Sequence, residues 1–559
     1  MSPPNIPHVG PGRWTMPLSL LTDEKLIDQI TSTGHEFQLD LDSSNHDTKE
    51  LQQKWASFKT QIMQLIKRSA KKHIGKMSNK INTLKKDLLE LEQRDDIDTH
   101  DKTRTSIAFL RHQHQHLEQK INRNKTAKAK ACWFEKEERI NKYWTKSNNP
   151  RKPRDIIHAM RDPRTDKITT KSSDMAEIAK KYHDKLQLKH LLEHNHPIRH
   201  AVIIEVLQQI PEHQKLNTTN PETDINNLIT PCQVTNALLT SKSSTATGLD
   251  EIPYELWKLL HDQHEQLSKQ NRPSFNIIKC FTTMYNNIQR LGTDETADFS
   301  IGWMCPIYKK KDWTCIENYC LITLLNIDYK IMTKALALQL AACACSLLHQ
   351  DQSGFAPSHS IFDPIRLAET MCAYADYMEE NGAIVALDQE KAYNKIDHKY
   401  LLDTLRAFKL PPIFMNTIEA LYKNIWTKII INGVTSNPYN IMRGVRQGDP
   451  LSCLLSDLVI EPLAAFIRNS LNPKGYNIPD TGRTIKINLY ADDTTVYLSS
   501  TDKYSDLENI LQKWCLASGA KFNLEKTEIN PIGTEIHRER LTQTRQIHPD
   551  DPPYLWAST

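Results

Sequence analysis

From about residue 300 onward the chain alternates two textures. Short apolar runs of strand length are separated by longer helical stretches. The runs are "WMCPIYK" (303–309), "AIVALD" (383–388), "TKIIING" (427–433), "TIKINLY" (484–490) and "TTVYLS" (494–499). The stretches between them predict helices at 329–349, 361–380, 399–425 and 450–470. Upstream the pattern is helical: Ile62, Leu65 and Ile66, then Ile81, Leu84, Leu88 and Leu91, recur at helical spacing. Between about 155 and 300 helices continue, joined by the polar links "NTTNPETDINN" and "KQNRPSF". Strands mixed with helices without regular β-α-β alternation predict a helix-rich α+β fold.

Composition agrees with that picture and narrows it. A chain of 559 residues has room for several domains. With 39% hydrophobic and 25% charged residues it reads as a soluble globular protein, and only 16 Gly favours helices over a sandwich or barrel. No run reaches about 18 apolar residues, so no membrane-spanning helix is expected. The start, "MSPPNIPHVGPGRWTMP", lacks the basic-then-apolar pattern of a secretory signal. Eleven cysteines scattered without a CxxC pair point to reduced, intracellular thiols, against a disulfide framework or a zinc knuckle.

The net charge is only +4, but its distribution changes the reading. Lys59, Lys67, Arg68, Lys71, Lys72, Lys76, Lys80, Lys85 and Lys86 crowd one helical region. A second stretch, "KINRNKTAKAKACWFEKEERINKYW", interleaves Lys with Trp133, Phe134, Tyr143 and Trp144. Such a region is either a solvated helical face or coiled coil, or an electrostatic platform for nucleic-acid phosphates. "NNPRKPRD" (148–155) marks a break after it.

The candidate chemistry is acidic. In "INLYADDTTVYLS", Asp492 and Asp493 sit between two strand-like runs, where a solvated hairpin turn is the ordinary reading. Asp388 ends the apolar run of "AIVALDQEKAYNKIDH", so its charge is either exposed at a strand end or held by a cation. If that strand lies beside the 484–498 hairpin, the carboxylates converge on one spot that suits Mg²⁺. Tyr393 places a ring just past the strand end. In "RGVRQGDPLSCLL", Gln447 can hydrogen-bond a nucleotide or template edge, and Asp449-Pro450 predicts the cap and first turn of a helix.

"ALDQEKAYNKIDH", "GVRQGDPLSCLL", "LYADDTTVYL" and "GAKFNLEKTEI", in that order and at that spacing, resemble the reverse transcriptases of LINE-like non-LTR retrotransposons. "TATGLDEIPYELWK" (245–258) and "PIYKKKDWTCIENYCLITLLNIDYKIMTKAL" (306–336) look like that family's finger segments, and the resemblance covers about 240–533. It implies a right-hand polymerase fold of fingers, a palm with an antiparallel sheet, and an incomplete thumb, preceded by a basic helical extension. The expected division is 1–45, a junction left from an upstream endonuclease region; 46–235, the basic extension; 236–505, fingers and palm; and 506–559, palm end and truncated thumb. The implied activity is RNA-directed DNA polymerisation, extending a primer 3′-OH with dNTPs on an RNA template by two-metal catalysis with Mg²⁺ or Mn²⁺. Implied partners are RNA template, DNA primer and a retroelement ribonucleoprotein, in the nucleus or cytoplasm, with no membrane.

The resemblance also implies roles. Asp388, Asp492 and Asp493 match the metal-binding aspartates. Tyr393 matches the aromatic gate that collides with a ribose 2′-OH. Gln447 and Gly448 match the loop over nucleotide and template. Lys526 matches the lysine proposed to protonate departing pyrophosphate, and Lys309 and Lys330 are candidates for triphosphate contacts. Four positions depart from the pattern: Cys320-Leu321 where Arg-Pro is usual, Asn394 for Asp, Ser456 for a bulky aromatic, and Glu251 for Gly. Cys320-Leu321 and the short C-terminal end motivate an alternative, a catalytically impaired, RNA-binding remnant of a retroelement.

Overall fold

The computed structural model describes residues 14–43, 48–92, 110–113, 156–188, 197–216, 224–356, 359–478, 482–523 and 526–545. The stretch 120–144 and the break at 148–155 lie outside the described residues, as do the side chains of Lys76, Lys80, Lys85 and Lys86.

Two helices, α1 (Glu24–Ser43) and α2 (Glu50–Glu92), open the described fold. The buried stripe Leu51, Trp55, Phe58, Ile62 and Ile66 on α2 steps by three and four residues, so one face of the helix is apolar. That face meets α3 (Tyr254–Lys269) and α4 (Ile277–Leu291) in a cluster of aromatic rings. Phe37 stacks on Phe58 at 4.7 Å, Trp55 on Trp257 at 5.8 Å, and Phe281 meets Trp257 edge-on at 5.3 Å. Within the cluster lies a buried ionic knot. Lys59 Nζ is 2.7 Å from Asp328 and 3.0 Å from Asp250, and Trp55 Nε1 donates to Asp328 at 2.8 Å. Lys59, which the sequence places on a basic face, is therefore an interior residue. Burial drives the Asp250 carboxyl up to about 6 although Lys59 opposes it. Lys67, Arg68, Lys71 and Lys72 remain exposed, with Lys67 paired to Glu251 at 2.8 Å.

Two sheets follow. The first joins β1 (Gly302–Tyr308), β2 (Tyr319–Leu325), β4 (Trp426–Ile431), β5 (Val434–Thr435) and β6 (Tyr439–Asn440). In it β1 is antiparallel to β2 and parallel to β4. The second has the order β7-β8-β3-β9, from β3 (Gly382–Leu387), β7 (Ile487–Tyr490), β8 (Asp493–Ser499) and β9 (Glu528–Ile532), all antiparallel. Against this frame lie α5 (Ile327–Leu347) and α6 (Ser452–Asn469). By length and composition α5 could cross a membrane, contrary to the expectation from apolar run length, but 56% of its apolar window is buried inside the protein.

All five expected strands are present, with three differences around them. The 484–490 run is split at Lys486: Arg483–Ile485 pairs with Tyr476–Ile478, and only Ile487–Tyr490 enters the second sheet. Strands β2 and β9 were not foreseen, because "YCLITLL" merges into the helix after it and Pro531 sits inside β9. Pro531 is tolerated there because β9 is an edge strand. The expected 399–425 helix is two, His398–Ala407 and Pro412–Tyr422. Lys409 turns left-handed (φ +59°) and Pro411 follows it, which ends the first helix.

Candidate active site

The pairing register brings the acidic residues to one end of the second sheet. Leu387, the last residue of β3, pairs with Thr494 of β8, so Asp388 emerges beside the start of β8. Asp493 opens β8 opposite Tyr490 of β7, leaving Ala491 and Asp492 as the hairpin turn. Gln389 Nε2 donates to Asp492 O at 3.3 Å, tying the strand end to the turn. Ala491 holds φ +56°, a left-handed geometry that costs a non-glycine residue roughly 1–2 kcal/mol. Gln352 packs against this turn: its Oε1 accepts from Ala491 N at 3.0 Å and from Gly354 N at 2.8 Å.

The electrostatics match the crowding. Burial, then repulsion from Asp388, raises the Asp492 carboxyl above the usual carboxylate range, and its own backbone N–H and Lys309 work against the rise. Asp493 is raised by burial, then by Asp492 and Asp388. Lys526 Nζ lies 3.1 Å from Asp388 Oδ2, so an ammonium already balances one of the charges. Among the described residues no three His, Cys, Asp or Glu side chains are gathered closely enough to hold one ion. A hard divalent cation does not need three: it is held by one or two carboxylates together with substrate phosphates. The all-oxygen donor set and mutual repulsion fit such an ion.

Residues 308–541 match the family model described as reverse transcriptase (RNA-dependent DNA polymerase). The chain carries a reverse-transcriptase domain. The resemblance read from the motifs holds: the domain is LINE-like. Over 289 residues, 51% of the chain, it is 29% identical to the "Transposon TX1 uncharacterized 149 kDa protein" of Xenopus laevis. Over 123 residues, 22% of the chain, it is 29% identical to the "Retrovirus-related Pol polyprotein from type-2 retrotransposable element R2DM" of Drosophila melanogaster. Over 148 residues, 26% of the chain, it is 30% identical to a "Retrovirus-related Pol polyprotein from type-1 retrotransposable element R2" of Popillia japonica. The chain spans 22%, 12% and 23% of those relatives' own lengths.

The matched residues contain every residue to which the motifs assign a catalytic or nucleotide role, and the structure distributes them. Half-buried Tyr393 directs its hydroxyl to Cys453 Sγ at 3.8 Å; burial, then Cys453, raises it well above an ordinary phenol, and Asp492 adds to the rise. Lys309 is near enough to Asp492 and Asp493 to favour their ionised forms. Gln447 O accepts from Thr323 N at 2.8 Å, fixing its loop against the first sheet. Gly448 has φ +111°, and a Cβ there would come within 2.6 Å of Thr323 O, so the position demands glycine. Lys330 is placed by a different set of neighbours. It donates to Ala246 O at 3.1 Å and lines a cavity of about 510 Å³ with Lys242, Lys334, Phe355 and Gly448.

Several expectations about individual residues change. Asp449 is not the cap of α6, which begins at Ser452; it is buried and shapes the preceding turn, accepting from Leu451 N at 3.1 Å and Tyr329 OH at 3.1 Å. Ser456, where the resembling family usually has a bulky aromatic, is only half-buried. Leu321 is buried in β2 with no charge of its own, but Lys391, Lys395 and Arg443 line the small cavity beside it. Burial brings Lys391 down to about 8, and its ammonium donates to Tyr182 OH at 2.8 Å.

The motif reading missed two features. Gln352 looks like a loop residue in "QSGF", and only the following glycine hinted at a close approach. Asp457 interrupts the apolar run "CLLSDLVIEPL" and is fully buried. Its carboxyl oxygens find no hydrogen-bond partner among the described residues, and burial, then Glu461 and Asp492, holds it well above the usual range.

Proposed function

We propose that the reverse-transcriptase domain polymerises DNA on an RNA template, extending a primer 3′-OH with dNTPs. The observation that carries this reading is the register that sets Asp388 beside the Asp492-Asp493 turn, within a domain of this family. Asp388, Asp492 and Asp493 would hold a pair of Mg²⁺ or Mn²⁺ ions, which when bound lend positive charge to the attacking and leaving oxygens. The chain's own groups do the rest. The Tyr393 ring would collide with a ribose 2′-OH on the incoming nucleotide and so select deoxynucleotides. Gln447 and Gly448 present a backbone that a nucleotide can approach closely. Lys526 neutralises Asp388 before substrate enters and then supplies a proton to departing pyrophosphate. Lys309 and Lys330 attract triphosphate as point charges.

The test is extension of oligo(dT) on poly(rA) by the whole chain with Mg²⁺. Incorporation is expected for the wild type and lost in Asp492→Ala; extension that survives this substitution rules out the assigned site. Buried, uncharged Leu321 favours a second reading, an RNA-binding protein without turnover. It predicts salt-dependent RNA binding with no incorporation above an Asp388→Ala, Asp492→Ala, Asp493→Ala background.

A further inference from the structure

We propose that Gln352 and Gly354 are positioning residues that aim Asp492 by clamping the hairpin turn from outside its own sheet. The inference rests on the reading of Asp492 as a metal-holding carboxylate.

The turn cannot hold its shape from its own sequence. Ala491 is left-handed at φ +56°, where a glycine or asparagine would be at ease, and it is followed directly by Asp492. Besides the Gln389 bond to Asp492 O, the bonds that hold Ala491 itself come from a segment some 140 residues earlier. Gln352 has no exposed surface. Its Oε1 accepts from Ala491 N at 3.0 Å, and its Nε2 reaches Ala491 O at 3.4 Å, so one side-chain amide brackets both polar groups of one residue. The same Oε1 accepts from Gly354 N at 2.8 Å, which curls the 352–354 segment onto the turn. A Cβ on Gly354 would fall 2.1 Å from Ala491 N, so only glycine lets the two backbones approach this closely. Flanking bonds hold the segment in register with β7: Leu489 N donates to Asp351 O and Ser353 N to Leu489 O, both at 2.8 Å.

Partners that orient a metal-holding residue without touching the ion typically change affinity or rate by about 10–100-fold when removed. Gln352→Met keeps the length of the side chain and removes every bond to the turn. In the whole chain, the Mg²⁺ concentration for half-maximal extension of oligo(dT) on poly(rA) is expected to rise about 10–100-fold at a temperature well below the variant's thermal midpoint, which falls with the lost hydrogen bonds, while primer-template affinity stays near wild type. A purely structural role would lower the thermal midpoint and leave the Mg²⁺ requirement alone. Should Gln352→Met not fold, Gln352→Asn withdraws the amide by one methylene and carries the same test. A folded variant with the wild-type Mg²⁺ requirement overturns the proposal. An Asp492→Ala control separates the two layers. If it still extends primers, the reading of the site fails; if it is inactive while the Gln352 variants titrate normally, only the positioning role fails.

Discussion

Glu251 holds φ +60° at a position where the resembling family usually has glycine. An L-residue pays roughly 1–2 kcal/mol for that geometry, and the ion pair at 2.8 Å between exposed Lys67 and largely covered Glu251 returns about 1 kcal/mol. Glu251→Gly is therefore expected to stabilise the protein by up to about 1 kcal/mol, read as a higher denaturant midpoint at unchanged slope. At the same scale, Asp492 and Asp493 keep their protons to higher pH than ordinary carboxylates. Cations take the ionised form, so the acid limb of primer extension should lie above the usual carboxylate range and move to lower pH as Mg²⁺ is raised. The stability sign runs the other way. A raised folded pKa adds stability below the unfolded value, about 3.9, and that contribution is lost as pH rises through the folded pKa. Asp492→Asn should thus flatten this part of the fall in metal-free thermal midpoint between acid and neutral pH. A midpoint profile identical to wild type would contradict the raised pKa.

At the scale of elements, three of the four strands of the second sheet were legible, because "AIVALD" and the "LYADDTTVYL" hairpin announce themselves by apolar runs and a polar turn; β9 was not. The surroundings were less so. A lysine on an amphipathic helix reads as solvated, and nothing near Lys59 in the sequence says otherwise. Its burial is set by Asp250 and Asp328, roughly 190 and 270 positions away. Asp457 was likewise silent, since one acidic residue in an apolar helix is usually at the surface. The ionic knot makes a sharp prediction for α2. Removing Lys59 leaves two carboxylates buried without a cation, so Lys59→Met should cost about 3–5 kcal/mol in equilibrium unfolding. A loss under 1 kcal/mol would mean that water reaches the pair.

Across the whole molecule, the helices of residues 24–92 share one core with residues 250–330 through Trp55, Trp257 and Phe281. Deleting residues 14–92 would strand the Trp257 and Phe281 rings in water, so the remaining chain is expected to aggregate, as measured by soluble yield and light scattering. The exposed Lys67, Arg68, Lys71 and Lys72 lie outside that core. If they meet RNA phosphates, replacing them with Gln should lower the salt slope of single-strand binding by about 0.7 for each phosphate that is no longer neutralised, with folding unchanged. That basic face was legible from sequence; the aromatic core beneath it was not, because its members are scattered over some 250 positions.

The second sheet ends on one side at β9, where Pro531 supplies no N–H for another strand to use, and on the other at β7, whose Leu489 is already bonded to residues 351 and 353. Among the described residues each edge is thus interrupted at one position for a second chain that would extend it. Two copies meeting at these edges would find an N–H missing on one side and a residue already bonded on the other, which works against fusion of their sheets beside the acidic hairpin.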